Sequence, residues 1–91
     1  MRGDLETTLE ANVDRTVRAA SRAVQQLEFV KVSETKDALL GIIIARNAAD
    51  KKIRIRIDRT TDNLTHVSIR VGVFGDESIS LAILDKMKGN L

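Results

Sequence analysis

The sequence predicts an α+β fold: a single domain over residues 1-91, built as a two-layer sandwich of order α-β-β-β-β-α. An antiparallel four-stranded meander sheet carries both helices on one face. Three observations predict it. Apolar residues recur every three or four positions near the start, alternate with polar ones through the middle, and return to helical spacing at the end. Short connections between the alternating runs favour a meander, and two amphipathic helices must share the one apolar face of such a sheet. The opposite face is left to water or to a partner.

The elements follow in order. Leu5, Leu9, Val13, Val17, Ala20, Val24 and Leu27 mark the stripe of a first helix over roughly residues 4 to 27. Asp4, Glu6, Glu10 and Asp14 fill its first half and Arg15, Arg18 and Arg22 its second, the order that complements a helix dipole. "EFVKVSE" changes the period, with Val30 and Val32 against Lys31 and Ser33. "KKIRIRID" alternates Ile53, Ile55 and Ile57 with Lys52, Arg54, Arg56 and Asp58. "LTHVSIRVGV" sets Val67, Ile69, Val71 and Val73 against His66, Ser68, Arg70 and Gly72. Turn chemistry at Thr35-Lys36-Asp37, Asn47 to Asp50 and Thr61-Asp62-Asn63 separates the strands. Ile79, Ile83, Leu84 and Met87 define a closing helix, and Gly89 suits its end.

Composition narrows the chemistry. The chain has no cysteine, which excludes disulfides, thiolate metal sites and cysteine nucleophiles together. Its formal charge of +2 is too small to demand a polyanion, although Arg46, Lys51, Lys52, Arg54, Arg56 and Arg59 crowd one segment against Asp50 and Asp58. No apolar run approaches the roughly 20 residues of a membrane-spanning helix. Met1 leads straight into polar residues, so any targeting or anchoring segment of a precursor would lie ahead of it.

The strand "LLGIIIA", residues 39 to 45, has no polar side, the mark of a strand covered on both faces. With three looped residues at 48–50, Ile43 falls opposite Ile55 and faces the helices. Ile42 and Ile44 then face outward, opposite Arg56 and Arg54. Arginine stems can cover those isoleucines. Otherwise the outer face pairs with a second copy or a protein partner, and Ile42, Ile44, Arg54, Arg56 and Arg70 form the candidate interface. The alternative is an anion-binding module, for phospholipid headgroups or nucleic acid, through Arg54, Arg56 and Arg70. Nucleic acid is the weaker partner, because sheets that bind it interleave stacking aromatics, and the two aromatics here, Phe29 and Phe74, sit at strand ends.

No catalytic, cofactor or metal constellation is expected. His66 is the only histidine, with no carboxylate cluster near it in sequence, and Ser78 and Ser80 have no adjacent base. Asp58, Asp62 and Asn63 have conformational reasons to lie in a turn. "GVFGD", a strand, two glycines and a helix start, resembles a phosphate loop. Asp76, however, is placed to cap the helix and occupy the amides an anion would need, with Glu77 behind it. The spacing also lacks the rest of either nucleotide fingerprint. The stretch reads as a strand-to-helix turn, with Phe74 plugging the edge of the core.

At "GIIIARNAADKKIRIRI", "DNLTHVSIRVGVFGDESIS" and "ILDKMKGNL" the sequence resembles the domain-of-unknown-function 3568 family of small bacterial proteins. The most specific part is the block from Val67 to Asp76. Members of that family are typically similar to exported proteins or lipoproteins with a signal and a lipid-bearing cysteine, neither of which these residues contain. The resemblance implies a periplasmic or membrane-anchored location through a removed N-terminal segment. It brings no catalytic or binding residues. The expectation is a non-enzymatic, envelope-associated interaction domain.

Overall fold

The computed structural model describes residues 3–91. Its strands are β1 (Asp4–Leu9), β2 (Val30–Lys36), β3 (Leu40–Arg46), β4 (Lys52–Thr61) and β5 (Leu64–Val71), with helices α1 (Val13–Gln26) and α2 (Glu77–Gly89). The class is α+β, but the chain opens with a strand. The sheet has five strands rather than four, in the order β1-β5-β4-β3-β2, and every pairing is antiparallel. The meander β2-β3-β4-β5 is present, and β1 adds to its far edge.

The expected helix over residues 4 to 27 is therefore two elements. Leu5, Leu9 and Val13 are four apart, and four is both one helical turn and an even number, so the spacing fits a strand equally well. Thr7 and Thr8 are β-branched and favour the strand. Asn12 then starts the helix, its side chain accepting from the Arg15 amide at 2.8 Å. With α1 beginning at Val13, only Asp14 lies in its first turn. Asp4, Glu6 and Glu10 precede it and lie outside that turn.

The core is one cluster. Val17, Ala20, Ala23 and Val24 of α1 and Ile83, Leu84 and Met87 of α2 pack with Ile43, Ile53, Ile55, Ile57, Val67, Ile69 and Val71, the alternate residues of the central strands. Burial alternates along β3, β4 and β5. The β3–β4 register puts Ile43 opposite Ile55, Ile42 opposite Arg56 and Ile44 opposite Arg54. Asp50, at φ 61°, closes the connecting hairpin, which has a turn bond from the Asp50 amide to the Asn47 carbonyl.

Three expectations fail in detail. Lys31 and Ser33 do not share one face, because the β2–β3 register shifts between them and sets Lys31 opposite Ala45 and Ser33 opposite Ile44, and Val30 and Val32 are exposed, at 68% and 57%. Val73 lies beyond the end of β5 and is exposed. Phe74 does not plug the core: it is 90% exposed, since the turn carries it away from the sheet. Gly75, at φ 82°, presses its backbone against Gly3, and a Cβ on Gly75 would come within 2.3 Å of the Gly3 Cα. The loop therefore takes its position from backbone packing and not from the aromatic ring.

Candidate functional site

The sheet residues that alternate with the core cluster form an outer row whose chemistry follows from the registers. On β4, Lys52, Arg54 and Arg56 alternate outward and are exposed. On one side of them lie Ile42 and Ile44 of β3, half-buried between Arg56 and Arg54 on β4 and Thr35 and Ser33 on β2. On the other side lies β5, where Arg70 pairs with Arg54. The five candidate residues thus share one face and adjoin one another across three strands.

β1 changes the electrostatics in a way the sequence did not foretell. Asp4 sits opposite Arg70, and its carboxylate accepts from the Arg70 guanidinium at 2.8 Å and lies 3.9 Å from Arg54. The Arg70 hydrogen bond, ahead of the opposing cost of burial, holds the Asp4 carboxyl below its ordinary value. Arg56 is engaged by Asp58 through two bonds, at 3.0 and 3.3 Å. His66 lies 2.9 Å from Glu6, so the histidine that seemed alone in sequence has a carboxylate brought to it by β1. Such cross-strand partners are invisible to local pattern, because they sit 60 and 66 residues apart.

Cations converge at one end of this face. Arg46, Lys51, Lys52, Arg54 and Arg70, with the single carboxylate of Asp50, surround an open concavity of about 660 Å³, and Gly72, Val73 and Phe74 form its remaining wall. Arg46 reaches Asp50 at 3.4 Å and Lys51 reaches Asp76 at 3.4 Å. Lys52 makes no ion pair among the described residues. The concavity is open and cationic with an apolar rim, suited to holding an anionic group that carries apolar surface.

At the start of α2 the glycine loop is followed by a side-chain cap. Asp76 Oδ1 accepts from the Ile79 amide at 3.0 Å, the bond chiefly responsible for holding this carboxyl below its ordinary value. The capping expected from sequence is in place. Among the described residues no group of three or more His, Cys, Asp or Glu side chains is placed to hold a metal ion, and no helix is long and apolar enough to cross a membrane.

These elements define an α+β protein of two helices and a five-stranded antiparallel sheet, with charged residues alternating along its central strand. Residues 1–90 match the family described as a protein of unknown function, DUF3568, and the chain belongs to that family. No curated protein matches it.

Proposed function

We propose that the chain is a non-enzymatic interaction domain of the cell envelope that binds an acidic protein partner across the open sheet face. The carrying observation is the strip in which half-buried Ile42 and Ile44 run beside Arg54 and Arg56. An apolar row edged by guanidinium groups complements a segment whose apolar side chains alternate with carboxylates. The envelope location rests on the likeness of family members to exported proteins.

A second copy is the less favourable occupant. β4 is the middle strand of β1-β5-β4-β3-β2. A two-fold axis through the centre of a face-to-face pair lays β4 on its own copy, so Arg54 and Arg56 would meet the same arginines. Like charges brought together at an interface oppose it.

The test uses a short fluorescent peptide alternating valine and glutamate, with its valine–lysine counterpart as control. The glutamate peptide should bind, weaken steeply as salt rises, and weaken again with Arg56→Gln or Ile42→Lys. Equal binding of both peptides, or indifference to both substitutions, would refute the reading. Light scattering should give a monomer; a dimer lost on Ile44→Lys would replace the acidic partner with a second copy.

A further inference from the structure

The β5–α2 loop holds two large apolar side chains, Val73 at 77% and Phe74 at 90% exposure, at adjacent positions. Looseness does not account for this exposure. The Gly72 amide donates to the Lys52 carbonyl at 2.8 Å, the Arg70 guanidinium donates to the Val73 carbonyl, and Gly75 is packed against Gly3. Asp76 then fixes the start of α2. The fold spends these contacts on presenting a phenyl ring to the outside.

The charged neighbours of the ring are mainly cationic, with Asp50 the one carboxylate lining the same concavity. Val73 and Phe74 share the wall of a concavity with Arg46, Lys51, Lys52, Arg54 and Arg70. Three carboxylates at this end are engaged: Asp50 by Arg46, Asp76 by Lys51, and Asp4 by Arg70. We infer that this end of the molecule docks on an anionic lipid bilayer. Phe74 and Val73 enter the boundary between headgroups and acyl chains, while Lys51, Lys52, Arg46 and Arg54 lie at the level of the lipid phosphates.

Two features choose the bilayer over a protein or a free anion. A projecting ring flanked by long flexible cations fits a soft surface that supplies apolar depth and phosphate charge at every orientation. A soluble phosphate would use the cations and leave Phe74 without a role. This inference shares Arg54 with the protein-binding reading and differs from it in using Val73, Phe74, Lys51 and Lys52, whereas Ile42 and Arg56 belong to that reading alone.

The chain contains no tryptophan, so Phe74→Trp installs a single fluorophore at the contact point. Mixed with vesicles of phosphatidylcholine and phosphatidylglycerol, its emission should shift to the blue, and vesicles of phosphatidylcholine alone should leave it unchanged. In co-sedimentation, Phe74→Ser should weaken binding of the mixed vesicles by about tenfold, the loss expected for withdrawing a phenyl ring from an apolar phase. Lys51→Gln with Lys52→Gln should weaken it and flatten its salt dependence. Ile42→Ser should leave it unaltered. An unshifted emission, equal partition into both vesicle types, or full binding by Phe74→Ser would overturn the inference. Displacement by millimolar inorganic phosphate with no spectral shift would reassign the site to a soluble anion.

Discussion

Two buried residues show how single atoms set the local balance. Ser80, on the core side of α2, is 1% exposed and its Oγ has no hydrogen-bond partner among the described residues. A buried hydroxyl left unpaired carries its desolvation cost without return. Ser80→Ala should therefore raise stability by about 1 kcal/mol in urea denaturation, and a lower midpoint would show that the hydroxyl is satisfied after all. Gly41, on the inner face of β3, does the reverse. A Cβ there would lie 2.4 Å from Cγ2 of Val17, a buried β-branched side chain with no room to turn. Gly41→Ala should cost about 1–3 kcal/mol by overpacking, and adding Val17→Ala should restore part of the loss. Unchanged stability in the single variant would mean that α1 can lift from the sheet. Neither role was legible in the sequence, where Ser80 was weighed as a nucleophile and Gly41 was one small residue in an apolar run.

At the scale of elements, what sequence pattern revealed depended on whether the period was unambiguous. The run from Lys52 to Asp58 alternates without exception, and a three-residue hairpin fixed its register against β3, so Ile42 and Ile44 were placed opposite the right arginines. β1 failed the same test because a spacing of four serves helix and strand alike. Its loss from the prediction removed Asp4 and Glu6 from the outer face and left Arg70 and His66 looking unopposed. β2 is a strand as the pattern predicts, but its alternation breaks at a register shift, since an edge strand has only one neighbour to enforce it. Its Lys31 and Lys36 turn to Ser21 and Asp14 on α1 while its valines stay in water. The strand assignment of residues 4–9 makes a direct prediction. Leu9 is 6% exposed and belongs to the core cluster, so Leu9→Ala should cost about 2–5 kcal/mol. Amide exchange should show β1 protected together with β5. Rapid exchange throughout residues 4–9 in a protein that otherwise stays folded would remove the fifth strand.

Across the whole molecule, acid should loosen three junctions together. Asp4 ties β1 to β5 through Arg70, Asp14 ties α1 to β2 through Lys36, and Asp76 ties the start of α2 to Lys51 beside β4. Each carboxyl is held below its ordinary value. The leading cause is the Arg70 hydrogen bond for Asp4, the Lys36 hydrogen bond for Asp14, and the Ile79 amide for Asp76. A carboxyl whose folded-state value is depressed binds its proton more weakly when folded, so the unfolded chain takes up protons first as pH falls. The stabilisation is fully present above the ordinary aspartate value of about 3.9. It is lost as pH drops through the lower folded-state values. All three groups touch solvent, so salt should shrink the effect as well. Asp4→Asn, Asp14→Asn and Asp76→Asn combined should lower the urea midpoint at neutral pH and make its fall below about pH 3.9 shallower than the parent's. Asparagine caps a helix about as well as aspartate, so the change at Asp76 removes the charge while keeping the cap. Parallel pH profiles for parent and triple variant would place the acid sensitivity in other carboxylates and break the link between these junctions and the stability of the fold.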